Sequence, residues 1–505
     1  MNESYQSLFQ NYTDQRVVDK SRQYAKFTVA SLLSVTEDQL SAEQAEVRRD
    51  YQSVGSMLLN NLSAKLTELL FPATRRFVKL DVSQDTRTAA EERGTTTDLN
   101  DALILLEEML VKRSRAEGGY AALILAVKHL IATGQCCLRR DTNSKTYVVY
   151  ALDNFVVRRD GRGLVLDAII REKVAYQSLP KDLQAKLGQR QPTESLYLYT
   201  RIQYQPDRQM YAVSQQVDSV TDYPLGMAEY PVKTCPWMFP TWNLKAGDHY
   251  ARGLVEEYSG DFSRLSMLSE SSALYLQEAL RVLHLTNAQG LVKDELTGAD
   301  CGEFINTPQG TTVTAYESGD YHKSAQALEE INAITMRLSR AFMYSGIQRD
   351  SERTTAEEVR LVARETEKTL GGPYSNLAST LQIPLARVLL SEIDAGLVPD
   401  IVQNVLELEV IAGLDALGRS VDAQQLLTAL SDALNAVAAV AQINQVAQNF
   451  LSPTAVIETI FSANGVNLSR YKTPPEVKQE MQQGQQQVQQ GLEAQQALST
   501  QLGGM

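Results

Sequence analysis

The run from Leu254 to Leu285 constrains the fold most. Tyr258, Phe262, Leu265, Leu276, Leu280 and Leu283 fall near heptad spacing, with small or polar residues between them. Read as one helix it is about 48 Å long, at ~1.5 Å per residue. An amphipathic helix of that length needs lateral packing against similar helices, within one chain or between copies. A second helix from Ser324 to Phe342, presenting Leu328, Ile331, Leu338 and Phe342, returns alongside it. Gly290, Gly298, Gly302 and Gly310 punctuate the segment between, where short strands are expected near Glu303–Asn306 and Thr311–Tyr316. Long helix, small module and returning helix describe a stalk with a tip.

The sequence before the stalk falls into two parts. Up to about residue 135 the apolar period is helical. Asp50 to Leu70 carries Val54, Leu58, Leu62, Leu66 and Leu69 on one face before Phe71-Pro72, and Leu99 to Arg115 carries Leu103, Leu106 and Leu110. Tyr120 to Leu138 is the most apolar stretch. It contains Lys128, His129 and Gln135, is short of a clean membrane span, and reads as a buried helix stopped by Gly134. From 145 to 245 the period becomes two. Phe155 to Tyr176 reads as a hairpin turning at Asp160-Gly161, and Leu196 to Tyr204 pairs back through Met210 to Val217. Pro236 and Pro240 around Trp237 suit an edge strand or loop. The fold class is α+β, predominantly helical.

Beyond the stalk, Ser345 to Arg353 is a polar loop, and Thr354 with Glu357 stands at capping-box spacing for a helix running to Leu370. Gly371-Gly372-Pro373 breaks or kinks that helix before it resumes to about Ala395. The Ala-rich segment 423–451 is expected to be helical. After Pro474-Pro475 the chain is Gln-rich with a thin apolar stripe, a marginal helix or disorder.

Sites of chemistry are missing where motifs would announce them. There is no GxxxxGK[ST], HExxH, CxxC or GxSxG, and His129, His249, His284 and His322 have no ligand spacing. The sequence therefore points to no catalytic residue, no metal and no cofactor. The pairs Glu107-Glu108, Glu256-Glu257, Glu329-Glu330 and Glu357-Glu358 read as solvated helix faces. Arg75-Arg76, Arg139-Arg140 and Arg158-Arg159 read as intersubunit ion pairs or solvent-facing charges, too isolated to make a nucleic-acid track. Cys136, Cys137, Cys235 and Cys301 read as reduced, structural thiols. The polar start, Met1 to Gln6, does not resemble a secretory signal. With 48 basic and 61 acidic residues the formal charge is −13, so contact with phosphates is expected to be loose or confined to a few positions.

Three stretches, in order, resemble the portal, or head-to-tail connector, proteins of short-tailed, podovirus-type bacteriophages. They are Ser53-Val54-Gly55 through Asn60-Asn61-Leu62-Ser63 to Phe71-Pro72; Tyr250-Ala251-Arg252-Gly253-Leu254 through Asp261; and Phe342-Met343 through Glu352-Arg353-Thr354-Thr355-Ala356-Glu357-Glu358 and Leu370-Gly371-Gly372-Pro373-Tyr374 to Leu390. The resemblance spans roughly residues 10–465. The Gln-rich tail follows the family only in composition.

The resemblance implies a portal fold with wing, stem, clip and crown, assembled as a ring of twelve copies. Residues 1–253 would be the wing, including the β region 140–245. Residues 254–288 and 323–344 would be the two stem helices, and 289–322 the clip. Residues 345–354 would be a tunnel loop and 355–419 a kinked tunnel helix with a return to the wing. Residues 420–473 would form the crown and 474–505 the tail. The implied partners are further copies of the chain, double-stranded DNA in the tunnel, a terminase motor, a tail adaptor, and the major capsid, scaffolding and internal core proteins. No membrane is implied, and the protein would be assembled in the host cytoplasm and reside at the portal vertex of the virion. The competing reading is another phage structural protein, such as an internal core or scaffolding component. Within the implied ring, Arg349 and Arg353 are candidates to face DNA, against solvated loop charges or caps on a neighbouring copy. Gly371, Gly372 and Pro373 are read either as a hinge or as a static kink.

Overall fold

The structure, a computed structural model, describes residues 4–33, 50–72, 77–82, 88, 96–217, 220–279, 282–286, 313–317, 321–344, 372–393 and 408–412. The chain divides into one unit over Met1–Ala416 and a second over Leu417–Met505. The second unit, with the expected Ala-rich helix, crown and tail, lies outside the described residues.

In chain order the elements are α1 (Tyr5–Tyr12), α2 (Gln15–Phe27), α3 (Val54–Leu70), β1 (Val78–Val82), α4 (Thr96–Arg115), α5 (Gly119–Thr133), β2 (Cys137–Arg140), β3 (Tyr147–Tyr150), β4 (Phe155–Arg159), β5 (Val165–Ala175), α6 (Lys181–Leu187), β6 (Ser195–Gln205), β7 (Met210–Val217), β8 (Val220–Pro231) and β9 (Trp237–Met238). Then follow α7 (Leu254–Glu257), α8 (Ser259–Ala279), β10 (Val282–Thr286), β11 (Val313–Glu317), α9 (Tyr321–Ala341), α10 (Pro373–Leu377), α11 (Ile383–Ser391) and β12 (Leu408–Ala412).

The helical core forms because the 3.6-residue stripes of α3 and α5 meet. Leu58, Leu62 and Leu66 of α3 and Leu123, Val127 and Leu130 of α5 have no solvent exposure. Helix α5 stops where the sequence says it must. Gly134 takes φ +90° and its N–H donates to Leu130 O, a left-handed C-terminal cap that favours glycine. Space enforces the same choice, since a Cβ there would lie 2.5 Å from Ala251 O.

The period-two region builds a five-stranded antiparallel sheet in the order β4-β5-β6-β7-β8. Each neighbour follows the last in sequence, so the sheet is a meander. The Asp160-Gly161 hairpin joins β4 to β5, with Asp160 Oδ1 accepting from Arg162 N and Leu164 N. Helix α1 packs Leu8 and Phe9 onto Val156, Ile169 and Tyr199 of one face. Beside it β9, carrying Trp237, is the edge of a three-stranded sheet with β2 and β3. The pairing of β1 with β12, antiparallel from Val78↔Ala412 to Val82↔Leu408, brings the C-terminal part of this unit back against its N-terminal helical part.

The long helix is shorter than its heptad pattern suggests. It comes as α7 and α8, offset at Tyr258, and α8 ends at Ala279, so the expected continuation to Leu285 is incorrect. Val282–Thr286 is instead a strand, paired antiparallel with Val313–Glu317. The reason is local: Val282, Leu283, His284, Leu285 and Thr286 alternate as well as they satisfy a heptad, and five residues fit either period. Helix α9 starts at Tyr321, three residues before the expected Ser324. The strand expected near Glu303–Asn306 lies outside the described residues.

Candidate functional site

The paired helices α8 and α9 are the most unusual surface of the chain. They run antiparallel, with Arg264 on Glu330 at 2.9 Å and Arg337 on Asp261 at 3.1 Å. Their base is fixed by aromatic packing: Phe262 meets Phe342 edge-on at 5.7 Å, Tyr258 meets Phe342 at 6.0 Å, and Phe27 of α2 stacks on Phe262 at 6.2 Å. Phe262, Leu265, Ile334, Leu338 and Phe342 are fully buried there. Away from the base no further element covers the pair among the described residues, and Met267, Leu274, Leu276, Leu328 and Met336 stand 47–65% exposed. Exposed leucines and methionines along both members of a helical pair mark an interaction surface.

The segment after residue 371 is anchored to the end of α3 and to the chain around Trp242. Gly372 takes φ +95° and Pro373 opens α10 at its first turn, where a missing N–H costs nothing. The Tyr374 hydroxyl donates to Leu69 O, and the Asn376 amide donates to the carbonyls of Thr241 and Trp242, each at 2.8 Å. A π-turn over Ala378–Gln382 precedes Pro384, where proline has no N–H for a regular helical bond. At the far end Arg140 grips Glu392 through Nε and Nη2 at 3.0 and 3.1 Å, with both side chains under a tenth exposed.

That pair corrects the sequence reading of the arginine doublets. Arg140 and Arg159 face inward, and their partners are in the same chain. Arg159 donates to the carbonyls of His249, Gly163 and Phe239, and its burial lowers its pKa to about 10. Arg139, half-buried, stacks over Trp237 at 5.1 Å and pairs with Glu172 at 3.8 Å. Arg75-Arg76 lies outside the described residues. Glu107 is likewise no solvated charge: it is fully buried and accepts from Leu80 N at 2.9 Å. The doublets hide this, because in Arg139-Arg140, Arg158-Arg159 and Glu107-Glu108 only the member Arg140, Arg159 or Glu107 is buried.

Of the residues singled out from sequence, Arg349, Arg353 and Gly371 lie outside the described residues. Gly372 and Pro373 are placed as above. His129 is buried on α5, and desolvation pushes its pKa down to about 4. His249 is lowered by burial and by Arg158 and Arg159, and its Nδ1 accepts from Arg159 N. Cys136, Cys137 and Cys235 are buried free thiols raised by desolvation. Among the described residues no group of three His, Cys, Asp or Glu could hold a metal, and no helix is long and apolar enough to cross a membrane.

Comparison with known proteins fits a structural role. The sequence profile of the bacteriophage head to tail connecting proteins matches residues 3–471. The portal protein of Pseudomonas phage phiKMV is 36% identical over 501 residues, covering 97% of this chain and 96% of that protein. The portal protein of Escherichia phage T7 is 30% identical over 420 residues, 81% of this chain and 77% of that protein. That of Enterobacteria phage SP6 is 27% identical over 440 residues, with 83% and 81% covered. Among solved structures, a chain from the virion of a native gene transfer agent particle aligns over 90% of this chain and 95% of its own, at 12% identity and TM-score 0.41. An HK97 family phage portal protein from Corynebacterium diphtheriae aligns over 73% and 97%, at 12% identity and TM-score 0.28. Those superpositions are too loose to transfer any contact. The chain belongs to the bacteriophage head-to-tail connecting protein family, as a podovirus-type portal protein, a structural component of the virion.

Proposed function

We propose that copies of this chain close into a ring, twelve in number, at one vertex of the capsid, and that double-stranded DNA enters and leaves through its bore. The observation that carries the ring is the helical pair α8–α9, fixed at its base yet bare along its apolar length among the described residues. Neighbouring copies supply the missing lateral packing. In this reading residues 1–253 form the wing, α7–α8 and α9 the stem, and the β10–β11 pair leads into a clip over 289–322. A terminase motor and later a tail adaptor dock at the clip. Residues 355–419 carry a kinked helix and the return to the wing. Residues 420–473 form a crown and 474–505 a tail, and the wing meets capsid, scaffolding and internal core proteins. Assembly takes place in the host cytoplasm.

DNA has to pass in both directions without sticking. At −13 per copy the ring carries a strong negative field, which centres the duplex and keeps sliding cheap. A few cations then supply a grip that salt weakens. Arg349 and Arg353, in the tunnel loop 345–354, are assigned that grip, and Gly371, Gly372 and Pro373 the hinge that lets the loop move. Two measurements test this. End-on images of the purified protein should show a ring with a hole that admits duplex DNA, and monomers or dimers alone would defeat the proposal. Arg349→Ala with Arg353→Ala should leave rings intact and impair packaging or retention of DNA; wild-type packaging and retention would remove both from the site.

A further inference from the structure

The five-stranded sheet has one face that is covered at one end and bare at the other. The cross-strand row Asp167↔Gln203↔Ala212↔Glu229 runs the width of that face. Arg171, four residues beyond Asp167 on β5, lies on the same face, and Met227 stands two residues before Glu229 on β8, at the bulge where the pairing shifts between Ala228 and Leu225. At the β4–β6 end, α1 and α2 stand over the sheet and leave a cleft of about 910 Å³. The start of α1 reaches β7, where Tyr5 bonds to Ser214 and Gln216; on β8, among the described residues, Met227 is the most exposed large hydrophobic side chain at 74%.

The cleft is built to receive something. Strand β4 pairs only with Val165–Ile170 of β5, because the turn Leu152–Asn154 carries the chain away before Phe155. The following residues, Arg171 to Ala175, are paired with β6 but not with β4, so part of the cleft floor is a strand edge without a partner strand. Phe9, Val18, Leu152 and Tyr197 give it apolar walls. The Arg171 guanidinium lies 5.1 Å from both the Phe9 and Tyr197 rings. Its one hydrogen bond is to the Asp153 carbonyl at 3.3 Å; Asp14, Asp153 and Glu172 also line the cleft, but among the described residues none forms an ion pair with it. The patch on β8 is the complement: an apolar knob, Met227, beside an exposed carboxylate, Glu229, which now meets only the exposed Arg208 at 2.7 Å.

We propose that the occupant of the cleft is the β8 patch of the next copy of this chain, with Met227 seated among the aromatic walls and Glu229 facing Arg171. The proposal rests on the ring reading. A closed ring of more than two copies needs a heterologous contact, two different patches that match. The cleft and the β8 knob are such patches, at opposite edges of one sheet, so the contact repeats from copy to copy. It is a wing contact separate from the α8–α9 pair.

Gln10, exposed on α1 at the cleft, and Met227 are both positions where substitution leaves the core untouched. The full-length protein carrying Gln10→Cys and Met227→Cys, assembled, oxidised and run without reductant, should give a ladder of covalent multimers. An equimolar assembly of the two single variants should stop at dimers. Adding Arg171→Gln should lower the cross-linked yield by about threefold or more, most clearly at low salt. Sedimentation of the same samples separates the two levels of the argument. Multi-copy assemblies without a ladder overturn this contact and leave the ring standing; monomers alone overturn both. A cross-link from Met227→Cys to a different virion protein also overturns it.

Discussion

Replacing Leu274 and Leu328 by Glu isolates what the bare helical pair does. Both residues are about half exposed, 56% and 49%, so neither completes the core of its own chain. Fully burying a leucine is worth about 1.5–3 kcal/mol, so covering the exposed half of each gains on the order of 1 kcal/mol. With Met267, Leu276 and Met336 included, burial in an assembly yields about 4–8 kcal/mol per copy on the same scale. The double variant forfeits about 2 kcal/mol of that and also places carboxylates where they lose water without a partner, at about 1–3 kcal/mol or more each. The sum, roughly 5 kcal/mol per interface, corresponds to over three orders of magnitude in the association constant. Glutamate is nearly as good a helix former as leucine, so the monomer should keep its stability to within about 0.5 kcal/mol. Sedimentation velocity should find wild-type assemblies and a 56.0 kDa variant monomer at the same concentration, with superimposable thermal melts of the two monomers. Unchanged assembly by the variant would refute the assignment of this face. So would a monomer melt lowered as far as a core substitution lowers it, because the residues would then be packing within their own chain.

Other positions make separate predictions. Glu392→Gln leaves the buried Arg140 without its counter-charge and should cost about 3–5 kcal/mol, read as a lower urea midpoint by the fluorescence of Trp237 and Trp242; Arg140→Met with Glu392→Met should restore much of it. Gly134→Ala combines a φ of +90° with a Cβ 2.5 Å from Ala251 O and should cost about 2–3 kcal/mol in the same assay. His129 titrates at about 4 when folded and near the ordinary histidine value of 6.5 when unfolded, because burial disfavours the imidazolium. The unfolded chain therefore binds the extra proton, and stability falls as pH drops from about 6.5 to about 4, by on the order of 3 kcal/mol. His129→Met should flatten that part of the pH profile, and an unchanged slope would place the titrating group elsewhere.

The sequence showed most where one period spans many residues or one residue has a single permitted role. The stripe of α3, the left-handed stop at Gly134 and the Asp160-Gly161 hairpin all follow from neighbours in the chain, and the structure agrees. It showed least where the deciding partner is distant. Glu392 is 252 residues from Arg140, so an arginine doublet looked like surface charge. Likewise β1 finds its partner β12 more than three hundred residues later, and five-residue strands carry too little pattern to announce such a pairing. The end of α8 was misjudged for a related reason: a heptad fits Leu280 and Leu283, but the cross-strand partner Tyr316 of Leu283 decides the outcome. The apolar surface of α8 and α9 was legible as length and spacing; that no other described element covers it was not.

The placement of residues 345–371 between two fixed points bears on how a loop could act on DNA. On one side α9 closes with Met343 at φ +54°, Tyr344 N donating to Ser339 O and Met343 N to Arg340 O, while Phe342 is buried against Phe262 and Tyr258. On the other side Gly372 leads into α10, and Tyr374, Asn376, Gln382 and Glu392 bind Leu69, Thr241, Trp242, Leu70 and Arg140. Both anchors belong to the same unit of the chain. In the proposed ring, a load on the loop 345–354 would pass at one end into the helical pair and at the other into the residues that hold Tyr374, Asn376 and Glu392. Glycine at 372 can change its backbone angles readily at the second anchor, since a left-handed φ there costs it nothing. Gly372→Ala should accordingly stiffen that end and alter DNA retention without altering assembly. An effect on assembly instead would mean that the left-handed turn holds the fold together and does not serve movement.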